Sequence, residues 1–204
     1  MPSGDLLICA GDVTNKGELG ILQDFNKWLG TLDFKYKVMI AGNHDFCFEG
    51  VGRNIAESLL TNVTYLFDSE VEIEGLKIYG SPWTPYFHNW AFNLRRGPAI
   101  EKFWNKIPKT TDILITHGPP FGILDWVDRP SEEEDPVPGV SKVGCQDLTK
   151  ALKRLSNLKL HVFGHIHEAG GMVTEGGTVY VNASQILHKD KKAGVHFKPY
   201  VVNL

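Results

Sequence analysis

Asp12, Asn43, His44, Asp45, His117, His165 and His167 are of the types that bind divalent metals or carry protons, and each stands just beyond a short apolar run. Leu6-Leu7-Ile8-Cys9-Ala10 precedes Gly11-Asp12, and Lys37-Val38-Met39-Ile40-Ala41 precedes Gly42-Asn43-His44-Asp45. Ile113-Leu114-Ile115-Thr116 precedes His117, and Leu160-His161-Val162-Phe163 precedes Gly164-His165-Ile166-His167. A short apolar run closed by glycine reads as a parallel strand leaving a core. Ligands in open α/β sheets bind beyond the carboxyl ends of such strands. Four strand ends carrying Asp, Asn and His make a metal-site pattern.

This donor set suits Mn, Fe, Zn, Co or Ni. No cysteine lies near the histidine pair, which excludes a Cys-rich structural zinc site. His165 and His167 are two residues apart, so a turn is needed to aim them at neighbouring ions. Two ions ~3.5–4 Å apart clamp the attacking and leaving oxygens of a phosphoryl group and yield a metal-activated hydroxide near neutral pH. Asp12 is the strand-end carboxylate that could bridge them. A leaving alkoxide also needs a general acid. His44 serves if Asn43 beside it is the ligand, and Asp45 could orient the imidazole through its other nitrogen. His88, His161, His188 and His196 read as packed or solvent-facing residues. No His-Glu-x-x-His occurs, which argues against a metallopeptidase.

The elements that must position these groups alternate between strands and helices. Residues 18–29 carry Leu22, Phe25 and Leu29 at helical spacing, so the opening reads strand–helix–strand with a right-handed crossover. Residues 53–60, 100–106 and 144–155 read as further helices. Residues 63–67 read as a short strand, and 71–73 with 76–78 as a hairpin around Glu74-Gly75. Residues 172–174, 178–182 and 197–202 complete a β-rich end. The segment from Gly80 to Gly97 holds Trp83, Tyr86, Phe87, Trp90 and Phe92 with Arg95-Arg96. It suits either a packed loop, the commoner use of such aromatics, or a binding wall that stacks on a nucleobase. As a wall, its candidate substrate contacts are Trp83, Arg95 and Arg96. Residues 130–139, with Glu132-Glu133-Glu134-Asp135, read as a solvated loop.

The chain has 204 residues, 42% hydrophobic and 22% charged, with net charge -3. These values describe an ordinary globular chain and give no reason to expect a nucleic-acid or anionic-membrane surface. Cysteines at 9, 47 and 145 form no disulfide framework and point to a reducing, cytoplasmic compartment. No apolar run approaches the ~18–20 residues of a transmembrane helix. Met1-Pro2-Ser3-Gly4-Asp5 does not read as a signal peptide. No linker divides residues 1–204, which read as one α/β domain, a sandwich of sheets with helices outside.

Gly11-Asp12, Gly42-Asn43-His44-Asp45, His117 and Gly164-His165-Ile166-His167 resemble, in order and spacing, four motifs of the calcineurin-like metallophosphoesterase superfamily. Gly80-Ser81-Pro82-Trp83, Trp90-Ala91-Phe92-Asn93, His117-Gly118-Pro119-Pro120 and Val181-Asn182-Ala183-Ser184 are similar to its metallophosphoesterase-domain-containing branch. The resemblance implies a four-layer αββα sandwich of mixed sheets. It implies a hydrolase acting on small-molecule phosphoesters, with phosphodiesters such as cyclic nucleotides foremost. It also implies that Asp12, Asn43, His117 and His165 bind one metal, that Asp12 and His167 bind the other, and that His44 assists the leaving group. The family's first motif, Asp-x-His on an opening strand, has no counterpart before Leu6, and Asp5 precedes its strand rather than following one. The expectation is a truncated or natural short form that lacks that strand and holds one ion better than two. A non-catalytic nucleotide- or metal-binding module is the alternative.

Overall fold

The computed structural model describes residues 1–127, 142–184 and 199–204. β1 (Leu6–Cys9), β2 (Tyr36–Met39) and β3 (Thr64–Tyr65) form a parallel three-stranded sheet, with Leu6 opposite Tyr36 and Cys9 opposite Met39. α1 (Leu19–Gly30) makes the crossover, and α2 (Arg53–Ser58) lies between β2 and β3. α1 buries Leu22, Asn26 and Leu29, one stripe at helical spacing.

A second sheet has six strands. β5 (Leu76–Ser81), β8 (Ile113–Thr116), β9 (Leu160–Phe163) and β11 (Thr178–Asn182) are parallel. β4 (Ser69–Ile73) and β10 (Gly171–Glu175) run antiparallel at its edges. α3 (Pro98–Trp104) and α4 (Gln146–Leu152) pack on this sheet, and β6 (Thr84–Pro85) and β7 (Asn93–Leu94) form a separate two-stranded parallel ladder.

Strand alternation sorts the apolar side chains into layers. Ile78, Ile113, Ile115 and Val162 of the larger sheet pack with Val38 and Ile40 of the smaller one, forming the central core. Tyr79 and Leu114 point the other way and meet Ile100 and Trp104 of α3 and Leu148 and Ala151 of α4. Met39 packs outward with Leu22 of α1 and Ala56 of α2. The order is helices, sheet, sheet, helices, as the sequence implies. Gly80 permits the sheets to approach, since a Cβ there would come within 2.5 Å of Leu66 Cβ.

Several boundaries differ from the sequence reading. The strand expected at residues 63–67 is two residues long, because the chain pairs with β2 only at Val38 and Met39. The helix expected over 144–155 begins at Gln146, since Cys145 is extended and pairs with Pro120. The ladder of β6 and β7 inside the aromatic segment was not expected. Residues 130–139, His188 and His196 lie outside the described residues, as does the start of the strand expected at 197–202, whose described part, from residue 199, is not a strand.

Candidate metal centre

The two sheets deliver their carboxyl ends to one rim. Past β1, Gly11 has φ +95 and Asp12 φ 58, so the chain turns sharply. Past β2, Gly42 crosses so close to this turn that a Cβ would sit 2.5 Å from His117 Cε1 and 2.6 Å from the Asp12 nitrogen. Only glycine fits there. His117 follows β8 directly and is fully buried. His165 follows β9 at φ 68, a left-handed conformation uncommon outside glycine.

Asn43 is the hub. Its Oδ1 lies 2.7 Å from His117 Nε2 and 2.7 Å from His165 Nδ1. Asp12 Oδ2 lies 3.2 Å from the same His117 nitrogen. His117 Nδ1 donates to the Ala10 carbonyl at 2.8 Å. Its hydrogen is thereby committed, so in the neutral ring Nε2 would point a lone pair at two oxygens. Only positive charge between these atoms, a proton or a cation, reconciles them. Burial pushes the His117 pKa down, but the Asp12 carboxylate beside it outweighs burial and raises it. Burial likewise opposes ionisation of Asp12, yet His117 and the His44 N–H hold its carboxyl well below the usual range. His165 is pushed down to about 3 by burial and by the charge of His117. A carboxylate, an amide oxygen and two imidazoles drawn together this way fit a borderline divalent ion. Counting His, Cys, Asp and Glu alone, without the amide, no group of three or more among the described residues could hold a metal. His167 begins a short 3-10 turn, His167–Ala169, and its charge acts on His165.

His44 lies at the rim with its N–H donated to Asp12 Oδ1 at 2.9 Å and its Nδ1 2.9 Å from the Asn15 carbonyl. The ring rests on Trp90, with centroids 4.2 Å apart.

Asp45 corrects the sequence reading. It does not orient His44, because its fully buried carboxylate is taken up elsewhere. It accepts the N–H groups of Gly42, Asp12 and Thr14, each at 2.8 Å, and the Thr14 hydroxyl at 2.8 Å. Burial, then the charge of Asp12, raise its pKa against these hydrogen bonds. The imidazole is oriented by Asn15 instead, and Asp45 ties the Asp12 turn to the Asn43 turn.

Two of the expected substrate contacts, Trp83 and Arg96, have partners within the protein. Trp83 donates Nε1 to the Asp68 carboxylate at 3.0 Å, and its ring lies 4.3 Å from Phe103 and 5.8 Å from Phe67 and Phe92. Arg96 donates to the carbonyls of Gly144 at 2.7 Å and Val143 at 2.8 Å, bracing the approach to α4. Arg95 is exposed. The sequence reading missed Thr14, Asn15 and the His44–Trp90 contact. A Ser or Thr two residues past the strand-end Asp was the available signal for Thr14. His161, read as a packed residue, is fully buried. Its Nε2 lies 2.8 Å from Thr116 Oγ1, whose hydrogen goes to the Gly118 carbonyl at 2.8 Å, so the His161 hydrogen sits on Nε2.

The sequence profile of calcineurin-like phosphoesterases matches residues 2–169. The chain belongs to the calcineurin-like phosphoesterase family. Within that family of metal-dependent phosphoester hydrolases it is similar to "Metallophosphoesterase domain-containing protein 1" of Homo sapiens, 45% identical over 206 residues. That match covers 90% of this chain and 60% of the human protein. The UPF0046 protein C25E10.12 of Caenorhabditis elegans is 39% identical over 207 residues, covering 95% of this chain and 71% of that protein. The chain thus spans about 60% of the length of the human relative. A solved crystal structure 20% identical has a TM-score of 0.57, covering 88% of this chain and 79% of that one, and supports the fold. No helix among the described residues is long and apolar enough to cross a membrane.

Proposed function

We propose that this calcineurin-like phosphoesterase hydrolyses phosphodiesters, cyclic nucleotides among them, with divalent ions held at the rim. The observation that carries the reading is the convergence of His117 and His165 on the Asn43 amide oxygen, with the Asp12 carboxylate against the same His117 nitrogen. Asp12, Asn43, His117 and His165 would hold one ion, and Asp12 with His167 a second, of Mn, Fe, Zn, Co or Ni. Ions bound there would polarise a phosphate oxygen and acidify water.

The chain's own groups do the rest. Asp45 fixes the two turns that carry Asp12 and Asn43, so the donors are placed before an ion arrives. His44 donates Nδ1–H to Asn15, which leaves Nε2 to protonate the leaving oxygen. Arg95, exposed beside β7, is the most accessible of the three expected substrate contacts, Trp83, Arg95 and Arg96. The cytoplasmic location is proposed from three unpaired cysteines. The residues 1–204 are proposed to work as one domain.

The test is turnover of bis-p-nitrophenyl phosphate and of cyclic nucleotides by the Mn-loaded protein. Metal-dependent hydrolysis is the expected result, and no turnover of any phosphoester would end the proposal. Nucleotide binding by calorimetry without hydrolysis would assign the chain as a binding module instead.

A further inference from the structure

Trp90 is placed unlike the other aromatic residues of its segment. The flanking turn has three non-glycine residues at positive φ, His88 at 46, Asn89 at 56 and Phe92 at 56. Such conformations persist only where surrounding contacts over-determine them. Those contacts are present. Ala91 donates its N–H to the Asn43 carbonyl at 3.1 Å, and Phe92 donates its N–H to Glu49 Oε1 at 2.7 Å. The Asn93 amide closes the turn from inside, donating to the carbonyls of Phe87 at 2.9 Å and Trp90 at 2.8 Å. The turn is therefore fastened to the loop that carries Asn43 and His44. Ala91 and Phe92 are buried in the outer core, whereas the indole between them and the tip stays partly exposed against His44. Phe46, 36% exposed, extends the apolar surface, with its ring centroid 5.9 Å from Trp90.

We infer that Trp90 is a specificity-determining residue, the platform on which the leaving group's base or aryl ring rests. The inference depends on the reading of His44 as the proton donor. In the hydrolysis a water oxygen bonds to phosphorus and its proton passes to solvent, from which His44 is later reprotonated. The phosphorus–oxygen bond to the leaving alcohol breaks with its electron pair on that oxygen, and His44 Nε2–H supplies the proton. A leaving oxygen within hydrogen-bond reach of His44 is, given the 4.2 Å ring separation, within a ring's breadth of the indole. A small alkyl alcohol leaves that surface wet. A nucleobase or aryl group covers it, and stacking of this kind tolerates any base. The substrate class is thereby a diester whose leaving alcohol carries a flat aromatic group.

The test compares kcat/KM of the Mn-loaded protein on a cyclic nucleotide and on the same cyclic ribose phosphate bearing methyl in place of the base. The leaving ribose hydroxyl is the same in both, and only the group that would rest on the indole differs. The wild-type protein is expected to prefer the nucleotide by roughly ten- to a hundredfold. Trp90→Ala should erase that preference, and Trp90→Phe should keep most of it. Trp90→Leu, which retains bulk without a π face, takes alanine's place if the alanine variant does not fold. Turnover of both substrates with no base preference in the wild type would overturn the inference and leave the hydrolase reading intact. So would an equal loss on both in Trp90→Ala and Trp90→Leu. No turnover of any phosphoester by the wild type would sink the hydrolase reading and this inference with it.

Discussion

The two ends of the same strands treat charge in opposite ways. At the amino ends of β5, β8 and β9, opposite charges pair one to one near the surface. Asp112 accepts the Lys77 N–H at 3.0 Å and faces Lys159 Nζ at 3.1 Å, and Lys35 pairs with Glu74. Such exposed pairs are screened and contribute little. At the carboxyl ends, acceptors meet acceptors in a buried place, and only a proton or a cation at the His117 nitrogen reconciles Asp12 with Asn43. The first end is satisfied by the protein alone. The second is satisfied only by positive charge, a proton or a cation, and this supports the proposal that it is the working end.

The largest expected effects follow from removing that convergence. Asp12→Asn and His165→Ala should each reduce phosphoesterase activity to background. They should also remove the stabilisation that Mn confers. At a free ion concentration of a hundred times Kd that stabilisation is about 2.7 kcal/mol for the wild type, readable as a shift in unfolding midpoint. Lys159→Ala, at the other end, should leave both the activity and the Mn-dependent shift unchanged. An equal loss of the shift in Lys159→Ala would mean that the two ends are not independent.

His44→Ala comes next. General acid catalysis is worth ~10²–10⁴-fold, and its loss should fall on ribose alkoxide leaving groups, which need a proton. p-Nitrophenolate needs little protonation and should suffer far less. Rates on both substrate types, with metal content measured alongside, decide the matter. Equal losses would assign His44 to holding Asp12 through its N–H.

Asp45→Ala should act on the fold rather than on proton transfer. It strips the acceptor from four backbone N–H groups, those of Asp12, Val13, Thr14 and Gly42, and from the Thr14 hydroxyl, around a fully buried carboxylate. Leaving a buried donor without its acceptor costs about 1–3 kcal/mol, and urea unfolding would measure the loss. A loss of that size together with an unchanged His44-dependent leaving-group profile would separate the roles of these adjacent residues.

The reason these roles were hard to read lies in the kind of information each needs. The strands before Asp12, Asn43, His117 and His165 are apolar runs closed at fixed points, so their buried course and their ends show in the sequence. The convergence of the donors follows from parallel strand order. The partners of Asp45 do not follow. The sequence sets it beside His44, but its φ of -90 and ψ of 55 turn the carboxylate back toward Gly42 and across to a loop some thirty positions earlier. Trp83 and Trp90 are equivalent as residue types. Asp68, Phe67 and Phe103 draw one into the core, while the Ala91–Asn43 hydrogen bond sets the other at the rim. Those are tertiary contacts, invisible to spacing.

The smallest expected effect lies at the amino end and sharpens the contrast by its sign with pH. The Lys77 N–H, against a small burial penalty and with help from Lys159, holds Asp112 below the usual carboxylate range. A group whose folded pKa is depressed stabilises the protein above its unfolded value of about 3.9, and that contribution is lost as pH falls through the folded value. Asp112→Asn should therefore lower the unfolding midpoint at neutral pH by less than about 3 °C, with the difference constant down to about pH 5 and fading below about pH 4. The part owed to Lys159 should shrink in high salt, because that lysine's side chain is 52% exposed. Mn-dependent activity should not change. Thermal melts of both proteins across pH 2 to 7 would measure this, and a difference that stays undiminished in acid would trace the loss to the altered Lys77 hydrogen bond rather than to charge.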